Sequence, residues 1–258
     1  MKNFMIANQS KHKRYNFENI DVLLKAQIEN SIELGWASED IILLANFDYE
    51  FMGVKSINIS LNKKCLTGSK MFGMKYLFEN KMVDDVIWAH DLDAWQNVCF
   101  YCPEFKEVGI ACYSTGKYNG GSLFWKKSSE DIVDKILGEI DKNKEEKEEP
   151  TLNRILKSKE YRGRVTCLNN TFNVGCSGYV KRWNRSIKPI RVCHFHPYNH
   201  IAWETHALDR NGLDCKGVSD RLEKLLRKYY PKLATELCEK GKIAQKERRA
   251  KRLEESNV

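Results

Sequence analysis

Apolar runs of strand length alternate with helical stripes along the first ninety residues, which predicts an α/β domain with a mainly parallel sheet flanked by helices. Ile41-Ile-Leu-Leu-Ala-Asn-Phe47 and Asp84-Asp-Val-Ile-Trp-Ala89 are continuous enough for strands covered on both faces. Val22, Leu23, Ala26, Ile28, Ile32 and Leu34 recur at helical spacing and stop at Gly35. A chain of 258 residues suits one such domain with a terminal extension.

Element by element, Phe4 to Ala7 opens as a short strand, and Asn8 to Asn16 is polar and turn-rich. Ser56-Ile-Asn-Ile-Ser60 alternates like a strand. Thr67 can cap a helix reaching about Lys81, with Met71, Met74, Tyr76, Leu77 and Phe78 on its apolar side. Val108 to Cys112 and Ser122 to Trp125 read as strands flanking the turn Tyr118-Asn-Gly-Gly121. Ser128 or Ser129 starts a helix to about Asp141, the charge run Lys142 to Glu149 reads as a solvated loop, and Thr151 to Lys157 restarts a helix. Val165 to Val174 and Ile190 to Phe195 are further strands. Leucines 222, 225, 226 and 233 suggest one helix that Pro231 bends or interrupts, and the stretch from Lys240 is an exposed, partly frayed helical tail.

Composition limits the function. Hydrophobic residues make up 42% of the chain, which excludes bulk disorder. No apolar run approaches the ~20 residues that span a bilayer. Met1 to Ser10 is too short in apolar residues for a secretory signal, so a soluble, cytoplasmic protein is expected. Nine cysteines, an odd number, make no disulfide framework, and Cys99-Phe-Tyr-Cys102 lacks a second such pair to complete a zinc site. Reduced, mostly buried thiols are the expectation. From Lys216 onward stand thirteen Lys and Arg against seven Asp and Glu, so six of the net +8 lie there. A basic helical extension over 216–258, following a domain over 1–215, suits an anionic partner or a solvated helix.

The chemistry centres on Asp91 and Asp93. They follow a buried strand, where ligands of parallel α/β sheets bind, and residues i and i+2 of an extended stretch share a side. Hard oxygen ligands suit Mg²⁺ or Mn²⁺, and such an ion can neutralise a diphosphate. Alone, Asp-x-Asp is also a turn or a helix cap. Alone, Lys70 is a solvated helix lysine, Glu148 and Glu149 are surface residues, and His194 is a hydrogen-bonded core histidine. His196, His200 and His206 suit a cleft or surface better than a metal.

The order of these motifs resembles the GT-A nucleotide-diphospho-sugar glycosyltransferases, and most of all glycosyltransferase family 8, over roughly residues 3–205. Ile6 to Tyr15 sits where that family holds the nucleotide, which implies contacts from Ala7, Asn8 and Tyr15. Ser69-Lys70 matches its donor-facing lysine, and Val86-Ile-Trp-Ala-His-Asp-Leu-Asp93 its metal strand. Tyr118-Asn-Gly-Gly-Ser-Leu-Phe124 resembles its sugar-binding turn, implying that Asn119, Gly120 and Gly121 contact the sugar. Glu148-Glu-Pro-Thr-Leu-Asn153 resembles its acidic helix start, with Glu149 where the family carries Gln. Asn169 to Val174 resembles the strand before the last motif, and Val192-Cys-His-Phe195 its His-Phe. The family's following Lys-Pro-Trp is absent, leaving His200, Arg185 or Lys188 to supply that charge.

The resemblance implies a GT-A, Rossmann-like sheet and transfer of a sugar from a nucleotide-diphosphate donor, UDP-sugar favoured, with retention favoured. Asp91, Asp93 and His194 would hold Mn²⁺ or Mg²⁺ on the diphosphate, Lys70 would add positive charge, and Glu149 and Glu148 would serve the reacting centre. The acceptor hydroxyl could lie on a glycan or on hydroxymethylated DNA. The competing readings are a nucleic-acid-binding protein using the basic arm, or a metal-dependent phosphoryl-transfer enzyme or nuclease. Neither accounts for the Asn-Gly-Gly segment and the late His-Phe.

Overall fold

The computed structural model describes residues 1–9, 17–60, 69–113, 116–142, 148–175, 179–194 and 220–256. Strand β1 (Lys2–Ala7) runs parallel to β2 (Ile41–Ala45) on one side and to β5 (Val86–His90) on the other. Outside β2 lies β4 (Val54–Asn58), again parallel, edged by the two-residue antiparallel β3 (Glu50–Phe51). Beyond β5 the sheet turns mixed. β8 (Tyr118–Lys126) is antiparallel to β5 and to β7 (Val108–Cys112), and β9 (Val165–Leu168) closes the edge parallel to β7. The order is thus β3-β4-β2-β1-β5-β8-β7-β9, and β5 lies in its interior.

Period-two alternation supplies two cores. Phe4, Ile42 and Leu44 face one layer, with Met71, Met74, Leu77 and Phe78 of α2 (Ser69–Glu79). The same layer holds Ile132, Val133 and Ile136 of α3 (Glu130–Lys142), and Leu152 and Ile155 of α4 (Glu148–Lys157). Met5, Ala7, Leu43 and Ala45 face Ile20, Leu24 and Ile28 of α1 (Phe17–Glu33) on the other side. All five residues of β2 and all five of β5 are buried, which is why their sequences are apolar without alternating.

A second sheet of three short strands carries the rest of the site. β6 (Ala94–Gln96) pairs antiparallel with β11 (Val192–His194), which pairs parallel with β10 (Val174–Gly175). Helix α5 (Tyr179–Arg185) joins β10 to this last strand region. Against this sheet and α1 pack α6 (Asp220–Tyr229) and α7 (Pro231–Ser256), through Leu226, Tyr230, Ala234, Leu237 and Cys238 around Trp95, Trp183 and Ala26. Among the described residues no helix is long and apolar enough to cross a membrane.

Several expectations are corrected. Residues 118–121 are not a turn. Tyr113 N–H donates to Lys117 O and Gly116 N–H to Tyr113 O, so the hairpin reverses there and Asn119-Gly-Gly121 runs inside β8. Residues 165–174 are two strands split by a 3₁₀ turn at Asn170–Phe172, where Asn169 Oδ1 accepts from Thr171 N–H and redirects the chain. Of the two outcomes open at Pro231, the helix is interrupted and not bent: among the described residues Pro231 opens a second helix, where its missing N–H costs nothing. The helix also persists to Ser256. Glu148 and Glu149 belong to the first turn of α4, where carboxylates complement the helix dipole, and Arg154 and Lys157 occupy its last turn. Cys112 and Cys167, at the ends of neighbouring β7 and β9, are joined as a disulfide across a Cα–Cα distance of 5.6 Å, against the expectation of reduced thiols throughout. Cys193 and Cys238 are buried thiols, whereas Cys99 and Cys102 are exposed. The expected cap Thr67 lies outside the described residues.

Candidate metal and donor site

The site starts from the register of β5. His90 is its last residue, and Asp91 N–H still donates to Gly121 O at 2.9 Å, extending the ladder with β8 by one rung. The chain then reverses at once, with Ala94 N–H donating to Asp91 O at 3.0 Å. Asp91 and Asp93 therefore occupy positions i and i+2 of a tight turn. The turn, not strand alternation, brings the two carboxylates together. Gln27 of α1, buried, holds this turn from below: its Nε2 donates to Leu92 O at 2.9 Å and to Ala94 O at 3.0 Å.

The turn leads directly into β6, whose Ala94 pairs with His194 of β11. That register carries an imidazole from the far end of the chain to the two aspartates. His194 Nε2 lies 2.9 Å from Asp93 Oδ1 and 3.8 Å from Asp91 Oδ2. Ligand atoms of Asp91, Asp93 and His194 all lie within 4.8 Å of one another, the group of this kind found among the described residues. Burial works against charge on His194, but Asp93 and Asp91 outweigh it and raise the imidazole's pKa. Two carboxylates and an imidazole nitrogen this close together could hold a metal ion.

Lys70 is not a solvated helix lysine. It is buried, and its Nζ lies 2.5 Å from Asp91 Oδ1, 2.5 Å from Gly120 O and 4.0 Å from Glu148 Oε1. Burial opposes its charge, yet Asp91 and Glu148 raise its pKa, so it stays cationic. Glu148 is turned inward beside it. Burial pushes that carboxyl up to about 7, against the pull of Lys70 and with the push of Asp91 and Glu149. Glu149 is exposed and accepts from Asn119 Nδ2 at 3.3 Å.

Strand β8 forms the floor between these groups. Asn119 Oδ1 accepts from Gly121 N–H at 3.0 Å and from Asn173 Nδ2. Asn153 of α4 clasps the Tyr118 backbone at both its N–H and its C=O, fixing α4 and its two glutamates against β8. Gly121 is required by the imidazole: a Cβ there would sit 2.5 Å from His194 Nδ1. Gly120 faces Glu148, whose Oε1 lies 3.9 Å from a Cβ position.

Of the expected site residues, Lys70, Asp91, Asp93, Asn119, Gly120, Gly121, Glu148, Glu149 and His194 are thus drawn together. Ala7, buried, ends β1 and Asn8, half-buried, follows it, at the same sheet end as Asp91. Tyr15, Phe195, His196, His200 and His206 lie outside the described residues. His90 is a core residue: burial lowers its pKa to about 4, its ring stacks on Trp88 at 4.1 Å, and Asn3 Oδ1 lies 2.7 Å from Nε2. Sequence reasoning missed Gln27, Asn153 and Asn173. Asn153 and Asn173 stand inside the motifs over 148–153 and 169–174 without a role assigned to them, and Gln27 carries no local signal.

No protein-family model matches the chain, and no curated protein matches it in sequence. Among solved structures, the galactosyltransferase LgtC in complex with donor and acceptor sugar analogues superposes with a TM-score of 0.52 at 13% identity, covering 88% of this chain and 100% of its own. The chain has the GT-A fold. A glycosyltransferase involved in glycosylation of the major capsid of PBCV-1 gives a TM-score of 0.49 at 10% identity, covering 75% of this chain and 93% of its own.

Proposed function

We propose that this GT-A protein is a divalent-metal-dependent glycosyltransferase that moves a sugar from a nucleotide-diphosphate donor to an acceptor hydroxyl. The reading rests on one observation above the rest. Residues 101 positions apart, Asp93 and His194, meet with Asp91 beyond the carboxyl end of β5 in a GT-A fold. It is supported by the donor and acceptor sugar analogues bound by LgtC. Family 8 membership, UDP as the donor base, a hexosyl group and retention are the finer parts of the proposal, as is the division into a domain over 1–215 and an extension over 216–258.

Asp91, Asp93 and His194 would hold Mn²⁺ or Mg²⁺, which when bound supplies positive charge to the diphosphate leaving group. Lys70 fixes Asp91 through a charge-assisted hydrogen bond and adds its own charge behind that carboxylate. Ala7 and Asn8 stand where the nucleoside would lie, with Tyr15 as its expected neighbour. Asn119 and the backbone of Gly120 and Gly121 present polar groups to sugar hydroxyls, close approach being possible because neither glycine carries a side chain. Glu149, the carboxylate left exposed, stabilises positive charge developing at the anomeric carbon or orients the acceptor. Glu148, turned inward, sets the position of Lys70. The acceptor hydroxyl is proposed to lie on a glycan or on hydroxymethylated DNA, and the protein is proposed to work in the cytoplasm.

The test is a screen of nucleotide sugars for Mn²⁺-dependent hydrolysis, paired with thermal stabilisation by UDP plus Mn²⁺. Ligand that binds only the native state raises the melting temperature by mass action. Metal-dependent release of sugar from at least one donor supports the reading. No stabilisation by any nucleoside diphosphate, together with no hydrolysis, ends it.

A further inference from the structure

As the bond to the sugar breaks, the leaving nucleoside diphosphate gains a further negative charge beyond what one divalent ion neutralises, and Lys70 is already committed to Asp91 and Gly120. A second cation lies on the other flank of His194. Gly175 is the registered partner of His194 across the parallel pair of β10 and β11. Paired residues of neighbouring strands project from the same face, with strands about 4.8 Å apart. The space that a side chain at Gly175 would take is filled by Arg182 of α5, whose Nη1 lies 2.9 Å from the Cβ position, with Tyr113 Oη at 3.7 Å. The guanidinium therefore sits on the face that carries the imidazole, one strand away from it.

Its orientation is also set. Arg182 Cζ lies 3.5 Å from the centroid of the Tyr113 ring, so the planar group stacks on an aromatic face. Stacking occupies the plane of a guanidinium and leaves its edge N–H donors for acceptors, in a fork that matches phosphate oxygens. His194 thus stands between two open positions: Gly121 admits its ring on one side, and Gly175 admits a guanidinium on the other.

We propose that Arg182, seated on Tyr113 over Gly175, binds the phosphate oxygens of the nucleoside diphosphate beside the Asp91–Asp93–His194 group. The inference rests on the donor reading above and adds a residue to it. Arg182 lies in a run of Lys and Arg between Lys181 and Arg191, from which the sequence offers Arg185 or Lys188 for this charge and nothing singles out Arg182.

The experiment titrates UDP, GDP and uridine into the full-length protein at saturating Mn²⁺, for wild type, Arg182→Gln and Arg182→Lys. Mn²⁺ affinity without nucleotide and the melting temperature are measured on the same preparations. The expected result is a tenfold or larger loss of diphosphate affinity in Arg182→Gln, partial recovery in Arg182→Lys, and no change in uridine affinity, in Mn²⁺ affinity or in melting temperature. Diphosphate affinity within twofold of wild type in Arg182→Gln overturns the proposal. So does a loss of Mn²⁺ affinity without nucleotide as large as the loss for UDP, which marks a structural role. If wild type itself binds neither UDP nor GDP, the donor reading fails first, before any variant is compared.

Discussion

Gly121→Ala probes how the imidazole reaches the aspartates. The new methyl would lie 2.5 Å from His194 Nδ1, 2.6 Å from Cε1 and 3.0 Å from Asn119 Oδ1. Ordinary van der Waals contact needs about 3.5 Å or more between such atoms, so something must move by about 1 Å. Gly121 itself is pinned, since Asp91 N–H donates to its carbonyl and Asn119 Oδ1 accepts from its amide. The imidazole must therefore give way, and turning takes its Nε2 away from Asp93. Forced repacking of this kind costs about 1–3 kcal/mol of stability. Displacing a metal-site histidine from its set position should cost about 10–100-fold in metal affinity. The assay is Mn²⁺ titration by electron paramagnetic resonance, with melting curves in chelator as the folding control. A double-mutant cycle sharpens it: in a His194→Ala background, Gly121→Ala should leave Mn²⁺ affinity unchanged, because the colliding ring is gone. Equal Mn²⁺ affinity in Gly121→Ala and wild type would refute the placement of His194 as a ligand.

Glu148→Gln should be more stable than wild type at pH 8 and lose that advantage in acid. The folded carboxyl, raised by burial to about 7, lies above its unfolded value of 4.5; protonation therefore stabilises the native state fully below about pH 4.5, and that contribution is lost as pH rises through 7. The swing is about 3 kcal/mol, read as the difference in melting temperature between the two proteins from pH 4.5 to pH 8 in chelator, and a difference independent of pH would contradict it. Deleting Lys246 to Val258 removes the part of α7 whose described side chains are exposed, so the melting temperature should hold within about 2 °C. If the acceptor is a polyanion such as DNA, the same deletion should flatten the salt dependence of acceptor binding, by up to ~0.9 in logarithmic slope for each phosphate that the tail no longer neutralises; an unchanged slope argues for a small or neutral acceptor.

The sheet was legible because its central strands are buried on both faces. Ile41 to Ala45 and Val86 to Ala89 cannot alternate, and few other structures of that length are so uniformly apolar. The carboxylates at the end of β5 were legible for the same reason. Their geometry was not. The turn that gathers Asp91 and Asp93 depends on Gln27, which holds it across more than sixty residues. Asn119-Gly-Gly121 carries a good local turn signal, yet tertiary demand overrides it, since the imidazole of His194 needs a strand without side chains. Glu148 shows the reverse case, since only the resemblance and not its local pattern places it in the site. A charge run hides one residue that α4 turns inward against Lys70. Arg182 and Asn173 act through partners on other elements, and local pattern carries no trace of such pairings.

The most direct test of the metal-dependent transfer claim is Asp93→Asn, assayed for Mn²⁺-dependent turnover of whichever nucleotide sugar wild type hydrolyses. Asparagine keeps the size of the side chain and removes the charge facing His194. A bound cation contributes several kcal/mol to leaving-group stabilisation, and each ~1.4 kcal/mol is tenfold in rate. The account predicts a loss on the order of a hundredfold or more, a matching loss of Mn²⁺ affinity, and a melting temperature in chelator close to that of wild type. Near-normal turnover by Asp93→Asn, or full wild-type turnover after exhaustive chelation, would contradict it.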